Sequence, residues 1–309
     1  MNDIKYILIC GAGMMGKNIA FVMASNPAYQ VGVYDLYETD VPGGIRANTR
    51  QLIAKGALTE EELDARLSRI SFTTDLDSEL VRRAVLVIEA VFEDMKIKRE
   101  TFAKLEARCR PDTIFCTNSS VMSPSEISAE LQHRERFVGT HFWNPGHLIP
   151  LVEVVKSDAS SDETAQTVME VLSSAGKEPV LCKKDVPGFI ANRMQHALWR
   201  EAISIVERGI ADPATVDKAV RYSFGLRLPQ LGPMENADMV GTDLTYNIHD
   251  YILKDLEDSH EPSPLLTRLR DEGKLGFKTG EGFQTWTPQQ IEQSKEALND
   301  YLVDMLYGK

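Results

Sequence analysis

The sequence predicts an α/β chain: a doubly wound, mostly parallel sheet in its first part, followed by an all-helical domain. Three observations carry that expectation. Short β-rich runs alternate with helical patterns from Lys5 to about Cys182, a glycine-rich turn directly follows the first run, and no strand signal of any strength returns after Lys183. Alternating strands and helices pair in parallel, because each crossover helix brings the next strand back in the same direction.

The strands expected in order are Tyr6 to Cys10, Gln30 to Asp35, Ile70 to Thr73, Val85 to Val91, Thr113 to Thr117, Arg136 to Phe142, Leu151 to Val155 and Glu178 to Cys182. Helix starts are well marked. Ser123-Pro124-Ser125-Glu126 supplies a cap serine, a proline at the first helical position and a glutamate three after the cap, so a helix begins just behind Asn118-Ser119-Ser120. After Lys183-Lys184-Asp185-Val186-Pro187-Gly188 the texture changes: Phe189 to Arg208 reads as one long amphipathic helix, and Asp212-Pro213 caps another reaching about Ser223. The expected domains are therefore 1–184, α/β, and 185–309, helical.

Composition bounds the function. At 309 residues, 43% hydrophobic and 26% charged, the chain has material for two cores. A formal net charge of -12 with no basic stripe excludes a nucleic-acid partner. Cys10, Cys109, Cys116 and Cys182 show no CxxC or His/Cys ligand spacing, so reduced core thiols and no metal site are expected. No apolar run approaches the roughly 18 residues of a membrane span, and Asp3, Lys5 and the early glycine turn are unlike a signal peptide, which makes the cytoplasm the expected location.

Gly11-Ala12-Gly13-Met14-Met15-Gly16 follows the first strand and opens a helix, the context a dinucleotide fingerprint requires, so the first domain is expected to be Rossmann-type. The first glycine allows the tight turn, the second lets a pyrophosphate approach the backbone, and the third lets helix pack on strand. Met14 and Met15 stand in this cofactor-binding turn, with side chains that read as packing groups. The second strand ends in Val33-Tyr34-Asp35. A carboxylate there binds both ribose hydroxyls and repels a 2′-phosphate, and Leu36-Tyr37-Glu38 offers no cation, so NAD is expected over NADP.

His141 heads His141-Phe142-Trp143-Asn144-Pro145, and Glu153 follows at the end of Leu151-Val152-Glu153. An imidazole with an orienting carboxylate, in a chain that holds a dinucleotide, can take a proton from an alcohol while the cofactor takes the hydride. Together with Asn118-Ser119-Ser120, the run Asp185-Val186-Pro187-Gly188-Phe189-Ile190-Ala191-Asn192-Arg193 and the late Lys278-Thr279-Gly280-Glu281-Gly282-Phe283, these motifs resemble, in order, those of the L-3-hydroxyacyl-CoA dehydrogenase family.

The resemblance implies that His141 is the general base, Glu153 its orienting partner, and Ser120 and Asn192 the hydrogen-bonding groups around the substrate oxygen. It also places Glu93 and Lys98 near the nicotinamide and its ribose, adds Asn118 to the cofactor contacts and Asn144 to those of the substrate, and implies a homodimer formed through the C-terminal helices. A solvated helix start explains Glu93 and Lys98 equally well.

Substrate class stays open at this level. Gly146-His147-Leu148-Ile149-Pro150 departs from the acyl-CoA enzymes and is more similar to a branch acting on free hydroxy acids, which includes L-gulonate 3-dehydrogenase and lambda-crystallin, carnitine dehydrogenase and pyridine-carboxylate 5-dehydrogenase. Gly225-Leu226-Arg227 with Gly232-Pro233 points the same way, and the Arg227 guanidinium suits a small carboxylate. Against this, Arg46, Arg50 and Lys55 lie where CoA-using relatives keep basic residues for nucleotide phosphates. The leading expectation is oxidation of a short-chain, 3-hydroxybutyryl-CoA-like substrate. The alternatives are the same chemistry on a free hydroxy acid, an aldehyde-oxidising or dismutating enzyme on the same scaffold, and a non-catalytic NAD-binding protein.

Overall fold

The computed structural model describes residues 5–308, which leaves Asp3 outside the described residues. The chain divides into two compact units, one running to Ala191 and resuming at Leu298, the other Asn192–Ala297.

The first unit alternates β1 (Tyr6–Cys10), α1 (Met14–Met23), β2 (Gln30–Tyr34), α2 (Val41–Ala54), α3 (Glu60–Leu67), β3 (Ile70–Thr73), α4 (Glu79–Arg82), β4 (Leu86–Glu89), α5 (Met95–Glu106), β5 (Ile114–Thr117), α6 (Pro124–Ile127), β6 (Phe137–Phe142), β7 (Leu151–Lys156), α7 (Asp162–Ser174) and β8 (Glu178–Cys182). The strands form one sheet of eight in the order β3-β2-β1-β4-β5-β6-β7-β8. Every pairing is parallel except β6 with β7. The order reverses between β1 and β4, and a doubly wound sheet opens its ligand crevice at the carboxyl ends of the strands beside such a reversal.

Burial explains why the strands read as apolar runs. Ile7, Leu8 and Ile9 of β1, Val33 of β2 and Leu86, Val87 and Ile88 of β4 are all but inaccessible, as expected for a sheet covered by helices on both faces. The helices are started by side chains that satisfy otherwise unpaired N–H groups. Thr59 and Glu62 form a reciprocal capping box on α3, Asp94 caps α5, Ser123 caps α6 and Ser161 caps α7.

Two strands end earlier than their apolar runs. Val85 to Val91 contributes only Leu86–Glu89, because the Ala90 N–H turns to the Cys10 carbonyl and the Val91 N–H is taken by the Glu89 carboxylate, each at 2.7 Å. Asp35 leaves β2 because its side chain reaches back to the glycine turn.

The second unit is helical, with α9 (Pro213–Arg221), α10 (Phe224–Arg227), α11 (Pro233–Val240), α12 (Thr242–Ile252) and α13 (Pro264–Asp271) following α8 (Ala191–Glu207). Asp212 caps α9 and Ser263 caps α13, each followed by proline at the first helical position. Among the described residues, its only β-bridges are the isolated Gly276–Glu281 and Glu281–Thr285 pairs. The long helix expected from Phe189 begins at Ala191, because Gly188 (φ 76°) and Phe189 (φ 50°) sit in the left-handed region, outside helical geometry.

The last helix, α14 (Pro288–Tyr307), gives its end to the first unit. Val303 joins the sheet's core, Gln51 donates to Asp300 at 3.1 Å, and Lys55 donates to Asp304 at 2.7 Å. The structural division thus falls after Ala191 rather than at 184/185, and the chain's final residues return to the α/β unit. No helix among the described residues is long and apolar enough to cross a membrane.

Candidate active site

The glycine turn is shaped by close approach. Gly11 has φ 109°, and a Cβ there would meet the Ala90 carbonyl oxygen at 2.6 Å; a Cβ on Gly16 would meet the Gly11 carbonyl oxygen at 1.8 Å. Gly13 has open space where its Cβ would be, so a ligand can come right up to the backbone at the start of α1. Met14 is exposed at that helix start, while Met15 packs against the core. Asp35 holds the turn from the next strand: its Oδ2 accepts the Ala12 N–H at 2.6 Å and its Oδ1 the Tyr37 N–H at 3.2 Å. The open glycine, the orphan N–H groups of α1 and a carboxylate at the end of β2 together fit NAD.

Beside this turn lies a buried ion cluster. Glu89 closes β4 at 0% exposure and Lys98 of α5 is 1% exposed. The Lys98 ammonium donates to Glu89 at 2.8 and 3.1 Å and lies 3.1 Å from Glu93, and the Thr117 hydroxyl adds a further bond to Glu89 at 2.7 Å. Burial pushes the Glu89 carboxyl up, and Lys98, Thr117 and the Val91 N–H oppose it. Glu93 in turn accepts from the Ser119 hydroxyl and from the Ser120 N–H at 3.0 Å. Burial alone would raise Glu93, but Ser119, Lys98 and the Ser120 N–H hold it below the usual carboxylate range.

Lys98, expected as a cofactor ligand or part of a solvated helix start, is not solvated: it is an interior counter-charge to Glu89 that also reaches Glu93. Glu89 escaped the sequence reading. Its signal was a carboxylate inside the apolar run Leu86-Val87-Ile88-Glu89, which folding tolerates only with a cation in reach. Removing Glu89 strands that cation, so Glu89→Ala should cost about 3 kcal/mol, the low end for breaking a buried pair since Glu93 stays in reach. Urea denaturation checks this, and a loss under about 1 kcal/mol, the range of exposed pairs, would contradict it.

The third group lies on the hairpin of β6 and β7. Their antiparallel register sets His141 directly opposite Glu153, which brings residues twelve apart in sequence into contact. His141 Nδ1 and Glu153 Oε2 are 2.8 Å apart, with the residues 4% and 0% exposed. The Trp143 indole N–H also donates to Oε2, at 3.3 Å, and the N–H groups of Ile190 and Ala191 donate to Oε1, each at 2.9 Å. Burial alone would raise the Glu153 carboxyl, yet His141, Ala191 and Ile190 hold it below its ordinary value. The His141 ring is packed by Trp143 and Phe189, with centroids at 5.3 and 5.8 Å.

The left-handed Gly188–Phe189 turn aims the Ile190 and Ala191 N–H groups at Glu153. These donors, and the Trp143 bond to Glu153, were not among the site residues expected from the sequence. Asn118 ties the ends of β5 and β6 together, its Oδ1 accepting the Phe142 N–H at 2.9 Å. Ser120 and Asn144 are exposed in the loops beyond those two strand ends. Asn192 and Arg227 belong to the second unit, at the second residue of α8 and the exposed end of α10. Among the described residues no group of three His, Cys, Asp or Glu side chains is arranged to hold a metal ion.

A buried histidine paired with a carboxylate, in the same unit as a dinucleotide turn, suits removal of hydride and proton from a carbinol, and the chain is an NAD-dependent dehydrogenase acting on CH–OH groups. Models of the 3-hydroxyacyl-CoA dehydrogenase NAD binding domain and C-terminal domain match residues 6–186 and 188–286, and the chain belongs to that family. Among its relatives, 5-formyl-3-hydroxy-2-methylpyridine 4-carboxylate 5-dehydrogenase of Mesorhizobium japonicum is 34% identical over 293 residues, covering 94% of this chain and 93% of the relative. A probable 3-hydroxybutyryl-CoA dehydrogenase of Bacillus subtilis is 36% identical over 285 residues, covering 91% and 97%. The crystal structure of a 5-formyl-3-hydroxy-2-methylpyridine 4-carboxylic acid 5-dehydrogenase, described as an NAD-dependent dismutase, superposes with a TM-score of 0.89 at 32% identity over 98% of this chain and 97% of that one.

Proposed function

We propose that the chain reversibly oxidises the hydroxyl of a short-chain 3-hydroxyacyl-CoA, 3-hydroxybutyryl-CoA in kind, to the 3-keto thioester. The buried His141–Glu153 pair carries this reading. Bound NAD supplies the hydride acceptor. A secondary alcohol does not ionise near neutrality, so the loss of hydride has to be accompanied by proton transfer to a base. With Nδ1 committed to Glu153, Nε2 of His141 is the nitrogen that takes the proton, and the carboxylate stabilises the imidazolium that forms. Ser120 and Asn192 polarise the substrate oxygen, worth about 3 kcal/mol for a preorganised donor. Asn144 borders the substrate; Gly11, Gly13, Gly16, Asp35, Glu93 and Asn118 serve the cofactor side.

A second reading, the same chemistry on a free hydroxy carboxylic acid, is favoured by two observations. Arg46 is engaged by Glu60 and Asp64, and Lys55 by Asp300 and Asp304, so two of the three basic residues near α2 are already neutralised. The pyridine-carboxylate enzyme's structure also matches nearly the whole chain. In this reading Arg227 clamps the carboxylate, and Arg227→Met should raise KM for a free acid at least about tenfold, the scale of a charge-assisted hydrogen bond, while leaving an acyl-CoA within about twofold.

NADH formation with 3-hydroxybutyryl-CoA beside gulonate, carnitine and an aromatic hydroxy acid tests both readings. Turnover of the thioester alone supports the first and turnover of an acid alone the second. NADH binding without turnover of any substrate would leave a non-catalytic NAD-binding protein. The cytoplasm and a homodimer complete the proposal. The apolar side chains exposed on the second unit, Tyr222, Leu226, Met234, Met239, Tyr246 and Tyr251 among them, support a second copy as the partner.

A further inference from the structure

The loop that joins His141's strand to Glu153's strand is held by an interior lysine. Lys177, just before β8, is 5% exposed, and its ammonium donates to the carbonyls of Gly146 and Ile149, each at 2.7 Å. Among the described residues no carboxylate lies within ion-pair distance of it, and the ammonium also sits over the Phe142 ring, 6.0 Å from its centroid. Burial brings the ammonium down to about 8, a cost that an ordinary core position would avoid with leucine or methionine. His147 of the same loop is driven down to about 4, by burial first and by Lys177 second, so it adds no second positive charge near neutrality.

The loop itself needs such a clamp. Its middle is a single helical turn in which the Leu148 and Ile149 N–H groups both bond to the Pro145 carbonyl, each at 3.0 Å, so the turn's own bonds leave the Gly146 and Ile149 carbonyls to a donor from outside it. One end carries Trp143, which donates to Glu153 and packs on His141. The middle rests on α1, where a Cβ on Gly146 would meet Met15 at 3.1 Å and Asn18 at 3.3 Å. The loop therefore touches both the base pair and the helix that opens from the glycine turn.

We propose that Lys177 is a positioning residue for the dehydrogenase reaction: by tying the 145–149 turn, which rests on α1, to the segment just before β8, it fixes the β6–β7 hairpin so that His141 and Glu153 stand in register with the cofactor turn. This rests on the His141 base reading. Misplacement of a reacting group by about 1 Å costs up to about a hundredfold in rate.

The test compares wild type, Lys177→Met, Lys177→Arg and Lys177→Gln in NADH formation with whichever panel substrate wild type turns over best, alongside NADH affinity and far-UV circular dichroism. Lys177→Met should lose between about tenfold and a hundredfold in kcat with NADH affinity within about twofold. Lys177→Arg, which keeps the donors, should recover at least half of that loss on a logarithmic scale, with Lys177→Gln between. A kcat within twofold of wild type in folded Lys177→Met overturns the proposal. Should Lys177→Met not fold, the Arg and Gln variants decide in the same way, and activity lost only in proportion to folded protein overturns it. His141→Ala separates the two ideas: if that variant is inactive while the Lys177 variants are normal, only the clamp fails, and if it is active, the base reading fails and the clamp with it.

Discussion

His141→Ala should lower kcat by about three orders of magnitude while NADH affinity stays within about twofold, an outcome that steady-state NADH formation and an NADH fluorescence titration check. The size is the middle of the roughly 10²- to 10⁴-fold range of general acid–base catalysis. The selectivity follows from position. His141 lies on β6, whereas the glycine turn and Asp35 follow β1 and β2, at the other side of β4 and β5 in the sheet. A joint loss of kcat and NADH affinity would mean that the imidazole is a packing group and that the account of the site is wrong.

Glu153→Gln is the second large effect, and it separates charge from shape. The amide keeps the volume of the side chain, but it cannot stabilise an imidazolium and it sets an NH₂ against one pair of its four present donors, His141 and Trp143 on one side or Ile190 and Ala191 on the other. kcat should fall at least about a hundredfold, comparable to mis-setting the tautomer of a catalytic histidine. Stability should fall by about 2 kcal/mol, the scale of buried donors left unsatisfied. Acid should reproduce part of this. Because Glu153 is held below its ordinary value when folded, the stability it contributes is present above the unfolded carboxylate range and is lost as pH falls through the lowered one.

Much of this arrangement was legible in the residues themselves, for identifiable reasons. Buried strands leave apolar runs, and the half-exposed edge strands β3 and β8 still carry short β-rich ones, so all eight were locatable; errors gathered where a side chain intervened, as with Glu89 capturing the Val91 N–H and Asp35 turning to Ala12. His141 and Glu153 could be paired from chemistry and spacing because an antiparallel hairpin brings such neighbours face to face. What stayed hidden depended on backbone direction or on burial depth. The Ile190 and Ala191 N–H groups carry no side-chain signature, and their aim comes from the left-handed Gly188–Phe189 turn. Lys98 read equally as a ligand or as part of a solvated helix start because a lysine near the start of a helix is normally exposed, and only the fold buries it against Glu89. Lys177 was silent for the same reason, and its two partners are carbonyls that every residue possesses.

The most direct test is a single-turnover measurement of NADH formation, protein in excess over the best panel substrate, with protium or deuterium at the carbinol carbon. Wild type should form NADH with a primary isotope effect. Glu153→Gln should slow that step at least about a hundredfold and His141→Ala about a thousandfold, with the isotope effect retained or enlarged. Hydride transfer as fast in both variants as in wild type would contradict the role of this pair as base and orienter.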